Sequence, residues 1–188
     1  MRKFISKIAV LFVLIFISST AAAGYNSSLR HTTKSGRLFN YETWDAEIIW
    51  HAVFFGDDFI HDFEEKHIQV NHLNPIEAAN FVGEQERKHA KNWDFFLVFY
   101  TKKDYKKFTN DPDSFWKIHL TTASGEEVKP DSIESIPVTP YVRVMYRKQI
   151  NRWSRAYRVS FPKVDLGDKF SLQIESVIGK SELNWKLR

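Results

Sequence analysis

Apolar residues recur with a helical period in the first half of the chain and with a period of two in the second half. Over residues 41–72 they fall at spacings of about three, four and seven, which is typical of a helix with one buried face. Trp50, Phe54 and Ile68 add a second, narrower apolar strip. The pattern predicts one long amphipathic helix, whose main apolar face contains Ile48, Ile49, Ala52, Val53, Phe55, Phe59, Ile60 and Phe63.

A second helix is predicted over residues 74–90 from the residues at its start. Asn74 can cap a helix, and Pro75 is tolerated at the first helical position. Glu77 stands three residues after the cap, where its carboxylate can complete a capping box.

Beyond Trp93 the pattern changes to that of β-strands. Residues 95–100 are continuously apolar, which is typical of a strand covered on both faces, and we expect this strand to be the central one. Turn-forming residues at 165–168 and 178–181 predict hairpins between the last three strands. Four further segments alternate apolar and polar residues, at positions 116–120, 157–161, 170–174 and 183–187.

Helices followed by strands, instead of alternating with them, predict an α+β fold with antiparallel pairing. We expect the long N-terminal amphipathic helix and the second helix to pack on a C-terminal antiparallel β-sheet. The strand spacing is compatible with a sandwich-like sheet system. Residues 41–188 are therefore predicted to form a single α+β domain.

Residues 1–23 carry the three parts of a secretory signal. Arg2 and Lys3 are followed by an apolar stretch and then by small residues that end at Ala23. We expect cleavage between Ala23 and Gly24. The mature protein would then lie in the periplasm or outside the cell.

The segments around this cleavage site give two further expectations. An uncleaved membrane anchor is the alternative to a signal, and Lys7 within the apolar stretch argues against it. No later segment is apolar enough to cross a bilayer, so we expect no transmembrane segment in the mature chain. Residues 24–40 are polar, lack apolar periodicity and are predicted to be a flexible tether.

Composition excludes several kinds of chemistry. The chain of 188 residues has no cysteine, which rules out disulfides, thiol nucleophiles and Cys-based zinc sites. Its hydrophobic content of 43% and charged content of 27% are those of a folded protein. The formal net charge is +4, of which Arg2, Lys3 and Lys7 of the predicted signal supply three charges. A mature chain this close to neutral argues against nucleic acid as a partner.

Residues 141–158, which we call the Arg/aromatic segment, contain no acidic residue and interleave arginines with aromatic rings. Guanidinium groups beside rings suit phosphate, carboxylate or sugar-acid groups. For an exported protein the candidate partners are an anionic envelope polymer, lipid headgroups or an acidic protein. A structural use, with arginines paired to the acidic helix, is the alternative. The candidate ligand-binding residues are Arg143, Arg147, Arg152, Trp153, Arg155 and Arg158.

A stripe of histidines and carboxylates along the predicted long helix is a second candidate site. Imidazole and carboxylate at helical spacing can share a metal, and His61, Glu65 and His72 are the candidate ligands of zinc or another divalent ion. The His-Glu-x-x-His pattern is absent, and such pairs also stabilise a solvent-exposed helix face, which is the interpretation we favour. The whole stripe consists of Glu47, His51, Asp58, His61, Glu65 and His72.

The sequence contains no Gly-x-Ser-x-Gly and no Gly-x-Gly-x-x-Gly motif, and it assigns no catalytic residue. It favours an exported, non-enzymatic binding module without a cofactor, which contacts an anionic envelope component through the Arg/aromatic segment. Two alternatives stay open. One is a metal-assisted hydrolase that uses the His/carboxylate stripe, and the other is a structural component of an envelope protein assembly.

Overall fold

The computed structural model describes residues 24–40, 45–101 and 114–187. The predicted signal, residues 1–23, lies outside the described residues, as do residues 41–44 of the predicted long helix. In chain order the elements are α1 (24–32), β1 (Thr33–Asn40), β2 (Asp45–Phe55), α2 (Asp57–Asn71), α3 (Pro75–His89), β3 (Asn92–Tyr100), β4 (Lys117–Thr121), β5 (Glu127–Val128), β6 (Ser132–Ile136), α4 (Pro140–Met145), β7 (Arg155–Pro162), β8 (Lys169–Ser176) and β9 (Gly179–Lys186).

The strands form two sheets. The five-stranded sheet has the order β1-β2-β3-β7-β6, and the four-stranded sheet has the order β5-β4-β8-β9. All strand pairs in the described part of the chain are antiparallel. The predicted α+β class with antiparallel pairing is therefore confirmed.

Strand β3 lies in the middle of the five-stranded sheet, and residues 95–99 are all buried. On one face Phe95 and Leu97 pack into a core that the two sheets share. On the other face Phe96 and Val98 pack into a second core beneath the helices. Burying each such side chain contributes about 1.5–3 kcal/mol. Cover on both faces explains the continuous apolar run, and the prediction of a central strand is confirmed.

The predicted long helix over residues 41–72 is wrong in its first half, because β2 is a strand and the helix α2 begins only after it. β2 is buried on both faces, with Trp50 in the core between the sheets and Val53 in the core beneath the helices. A strand with two buried faces shows no alternation, so its apolar positions also fit a helical wheel. Gly56 separates the two elements, and a Cβ there would lie 2.5 Å from the Phe54 ring.

The predicted flexible tether over residues 24–40 is also wrong, because these residues form α1 and β1. Tyr25 and Leu29 of α1 are buried in the core beneath the helices. β1 pairs with β2 along its length and is the edge strand of its sheet. Gly36 packs so closely on Trp50 that a Cβ would lie 2.7 Å from the indole Nε1. An edge strand tolerates polar residues, which explains why hydrophobic periodicity failed to detect it.

The second predicted helix is confirmed as α3, together with its capping box. The Asn74 side chain accepts hydrogen bonds from the backbone N–H groups of Ile76 and Glu77. In return, the Glu77 carboxylate accepts the Asn74 backbone N–H at 2.9 Å. The helix ends at His89, and Ala90 is its C-cap. This start could be found in the sequence because all its contacts are local.

The four alternating segments are confirmed as β4, β7, β8 and β9. The turn at residues 178–181 belongs to the β8–β9 hairpin, as predicted. The turn at residues 165–168 does not close a hairpin, because β7 belongs to the five-stranded sheet and β8 to the four-stranded one. Turn residues indicate where the chain reverses, but the partner of each strand is set by packing. Strand β6 and the short helix α4 were not predicted, because their sequences show no hydrophobic periodicity.

Candidate functional site

A cavity of about 280 Å³ opens on the helix-facing side of the five-stranded sheet, at the end that the helices leave uncovered. We call it the Trp153 cavity. Strands β2 and β3 form its floor, and the loop before β7 forms its wall. It is lined by Ile49, His51, Val98, Tyr100, Gln149, Asn151, Trp153 and Ser154.

The floor of the cavity follows from alternation along β2. Ile49, His51, Val53 and Phe55 point to the same face, because side chains two apart on a strand share a face. Val53 and Phe55 lie in the core under α2, whereas Ile49 is 39% exposed. Ile49 and His51 line the cavity where this face continues beyond the buried core.

Three local hydrogen bonds hold the wall of the cavity. The Asn151 Oδ1 accepts the backbone N–H of Trp153 at 2.7 Å. The backbone N–H of Asn151 donates to Ser154 Oγ at 3.1 Å, and the backbone N–H of Ser154 donates to the Asn151 carbonyl at 3.3 Å. These bonds form an Asx turn, which fixes the backbone on both sides of Trp153.

Trp153 is the exposed aromatic residue of this turn. Its side chain is 63% exposed, although the indole is among the residues that gain most from burial. The guanidinium carbon of Arg152 lies 4.4 Å from the centre of the Trp153 ring, within the range of a cation–π contact. The pair therefore presents a flat apolar surface and a fixed positive charge side by side.

Polar groups on the floor and wall offer both donors and acceptors. His51 Nδ1 and Ser35 Oγ form a hydrogen bond of 2.7 Å, and burial lowers the pKa of His51, which favours the neutral imidazole. Gln149 Oε1 is buried and has no hydrogen-bond partner within the described part of the chain. An unmade hydrogen bond at a buried acceptor costs about 1–3 kcal/mol. Gln149 lines the cavity, although its Oε1 is itself shielded from solvent.

Positive charge lies at the rim of the cavity and not inside it. The lining contains no Lys, Arg, Asp or Glu, and the lowered pKa of its one histidine, His51, favours the neutral imidazole. Arg152 stands beside Trp153, and Arg37 of β1 is exposed opposite Ile49 in the strand register, on the same face of the sheet. The site therefore combines an uncharged interior with a cationic edge.

Of the six predicted ligand-binding residues, only Trp153 lines the cavity. Arg152 and Trp153 lie together at the cavity, as just described. Arg143 is exposed on α4, and Arg147 is exposed shortly after that helix. Arg155 is exposed at the start of β7, directly after Ser154 of the wall.

Arg158 has a different environment from the other five residues. It is half-buried on β7, where it stands opposite Glu134 of β6 in the strand register. The positive charge of Arg158 lowers the pKa of the Tyr141 hydroxyl, but burial has the larger effect and raises that pKa to about 12. Arg158 does not line the cavity.

The His/carboxylate stripe is divided because its first part is not helical. Glu47 and His51 lie on β2, whereas His61 and Glu65 lie on α2 at 3.3 Å from each other, both well exposed. His72 is the C-cap of α2. Within the described ranges, no group of three or more histidines and carboxylates is arranged to hold a metal ion. His61, Glu65 and His72 therefore do not meet at one point.

A second cavity of about 280 Å³ lies beside α2, where its walls are Tyr25, Asp62, Glu65, Lys66 and Gln69. Lys66 Nζ donates to Gln69 Oε1 at 2.9 Å, so these polar groups are engaged with each other along one helix. The Trp153 cavity differs because it combines residues from two strands and a separate loop. We therefore treat it as the stronger candidate.

Most of the lining residues were not found from the sequence. Ile49 and His51 were assigned to a helix, and Val98 and Tyr100 to a strand covered on both sides. The one local signal is the Asn151-Arg152-Trp153-Ser154 turn, whose asparagine can bond the backbone two residues later. The remaining residues meet only through strand register, which no short motif encodes.

Comparison with other proteins gives no assignment: no protein-family description, no curated protein and no solved structure matches this chain. In the described part of the chain, no helix is both long enough and apolar enough to cross a membrane.

Proposed function

We propose that the chain is an exported, non-enzymatic binding module that binds an anionic component of the cell envelope at the Trp153 cavity. Export rests on the basic start, apolar stretch and small residues of positions 1–23. The binding role rests on one observation, the Arg152–Trp153 pair at the mouth of a cavity. A cation fixed beside an exposed ring attracts a ligand that has both a charge and an apolar surface.

The other residues of the site support this proposal. The lining supplies stacking surface and hydrogen-bonding groups, which are the usual contacts of a ligand pocket. Arg37, opposite Ile49 in the strand register, adds an exposed positive charge at the rim. A guanidinium group can form paired hydrogen bonds with a carboxylate, phosphate or sulfate group.

Titration calorimetry with anionic probes tests the proposal. The probes are polygalacturonate, polyphosphate and vesicles that contain phosphatidylglycerol. We expect at least one probe to bind, with an affinity that falls as the salt concentration rises from about 0.05 M to about 0.5 M. Arg152→Glu should weaken that binding by about three- to tenfold, because it reverses one exposed charge at the rim.

Arg87→Glu is the matched control. Arg87 is exposed on α3, and the substitution changes the net charge of the chain by the same amount as Arg152→Glu. We expect Arg87→Glu to leave the affinity within about twofold. The proposal is wrong if none of the anionic probes binds, or if the two substitutions weaken binding equally.

A further inference from the structure

We propose that the anionic component is an acidic polysaccharide, and that one of its sugar rings enters the Trp153 cavity while its charged groups stay at the rim. This inference rests on the proposed function and names the class of ligand for the same site. It selects a glycan over a lipid headgroup or an acidic protein. Three properties of the cavity carry it.

The first property is the missing charge in the interior. A carboxylate or phosphate inside the cavity would lose part of its water without a cation among the lining residues to pair with, which is unfavourable. The positive groups, Arg152 and Arg37, stand at the edge. The part of the ligand that enters must therefore be uncharged, and the anionic part must remain outside.

The second property is the kind of hydrogen bond that the interior needs. The buried Gln149 Oε1 is an acceptor without a partner in the described part of the chain. Ser154 Oγ already accepts a hydrogen bond from the Asn151 backbone, so its own hydroxyl proton is available for donation. Because Oε1 itself is shielded from solvent, a sugar hydroxyl reaches it when the Gln149 amide turns about its soft last torsion. The hydroxyl can then donate to Gln149 and accept from Ser154. An ionised phosphate or carboxylate can only accept, so it leaves Gln149 unsatisfied.

The third property is shape. A cavity of about 280 Å³ is at the lower limit of small-molecule pockets, which span about 300–1,000 Å³, so it suits one ring better than a long chain. The exposed indole of Trp153 offers a flat apolar platform. The C–H face of a pyranose is flat and apolar and can pack on such a ring, while its hydroxyls point to the side.

Two groups of anionic probes separate this inference from its alternatives. The first group is acidic polysaccharides that have an uncharged ring in every repeat, namely hyaluronan and unsulfated chondroitin. The second group has charge but no sugar ring, namely polyphosphate and phosphatidylglycerol vesicles. We expect at least one polysaccharide to bind about tenfold or more tightly per site than either probe of the second group.

Substitutions within the cavity then test the role of its interior. Gln149→Met keeps the length of the side chain and removes its hydrogen-bonding groups. We expect it to weaken polysaccharide binding about fivefold or more, and to leave any polyphosphate binding unchanged. Trp153→Ala should weaken polysaccharide binding at least as much. Gln69→Met on α2 and Ile76→Ala on α3, both at exposed positions, should have no effect.

The outcomes distinguish the inference from the proposed function. If polyphosphate or vesicles bind as tightly as every polysaccharide, and Gln149→Met changes neither, the saccharide inference is wrong while the anion-binding function stands. If no anionic probe binds, both are wrong. If a neutral oligosaccharide binds at the cavity without any dependence on salt, the cavity holds a sugar but the anionic function is wrong.

Discussion

The indole Nε1 of Trp50 donates a hydrogen bond of 2.9 Å to Ser181 Oγ, which joins two residues 131 positions apart. Trp50 is fully buried on β2, and Ser181 lies on β9, so the bond connects the two sheets. Ser181 Oγ in turn donates to the carbonyl of Arg37 on β1 at 3.4 Å. The four-stranded sheet is thus held to the edge of the five-stranded sheet by polar contacts as well as by the shared apolar core.

Ser181→Ala should lower the free energy of unfolding by about 1–3 kcal/mol, because it leaves the buried Trp50 N–H without an acceptor. Urea denaturation followed by circular dichroism measures this change. Ser135→Ala, at an exposed position on β6, is the control and should change stability by less than about 0.5 kcal/mol. Equal effects of the two substitutions would contradict the structural role of Ser181.

Gly36→Ala should destabilise the protein by about 1–3 kcal/mol, because the added methyl group has no room. Its Cβ would lie 2.7 Å from Trp50 Nε1 and 3.0 Å from Leu183 Cδ2. Gly83→Ala is the matched control within α3, where the nearest atom to the new Cβ is Arg87 Nη1 at 3.5 Å. That control should stabilise by about 0.5–1 kcal/mol, since alanine favours helix over glycine. Thermal midpoints that move in the same direction for both variants would disprove the close packing of β1.

Asn74→Ala should cost about 1 kcal/mol, because it removes the acceptor for two backbone N–H groups at the start of α3. Asn80→Ala, at an exposed position inside the same helix, should be neutral or slightly stabilising, because alanine has the higher helix propensity. Chemical denaturation of the two variants provides the measurement. A similar loss in both would mean that the capping box contributes nothing of its own.

His67 should make stability fall when the solution is acidified. Its ring stacks on Phe81 at 3.8 Å and bonds the Tyr141 hydroxyl at 2.5 Å, and burial lowers its pKa in the folded state. The unfolded chain, with a histidine pKa of about 6.5, then binds more protons than the folded one. The contribution of His67 to the free energy of unfolding is therefore complete above about pH 6.5 and decreases as the pH falls below that value. Below the folded-state pKa of His67 this contribution stays constant.

Denaturation curves across this pH window test the role of His67. His67→Gln should make the free energy of unfolding depend less steeply on pH. Part of the dependence should remain, because burial also lowers the pKa of His51. Tyr141→Phe removes the hydrogen bond and leaves the imidazole packed on Phe81. It should lower stability while keeping the slope, since burial is the cause of the shift. An unchanged slope in His67→Gln would refute this assignment.

The elements that could be predicted are those whose signals are local. Asn74 and Glu77 lie three residues apart and form their capping box without any other part of the chain. Strands β8 and β9 alternate because one face of each is buried. By contrast, the apolar run of β2 would also fit a buried helix. This segment is a strand because it pairs with β3, whose residues lie about 40 to 50 positions later in the chain.

The candidate site divides in the same way. Arg152 and Trp153 were found from the sequence, because an arginine beside an aromatic ring within an acid-free segment is a visible pattern. Ile49, His51 and Gln149 were not found, because they meet at the cavity only through strand register and the position of the loop before β7. Arg158 shared the pattern but lies opposite Glu134 and does not line the cavity.

The sequence by itself determined the α+β class, the capped start of α3, the alternating strands and the absence of cysteine chemistry, since each of these depends on neighbours within a few residues. Tertiary structure alone decided that residues 24–40 and 45–55 join the sheet, that residues 165–168 link two sheets, and that the cavity opens at Trp153. Their physical cause is the burial of surfaces brought together from distant parts of the chain. Such burial overrides local preference, because the free energy of packing exceeds the small differences between helix and strand propensities.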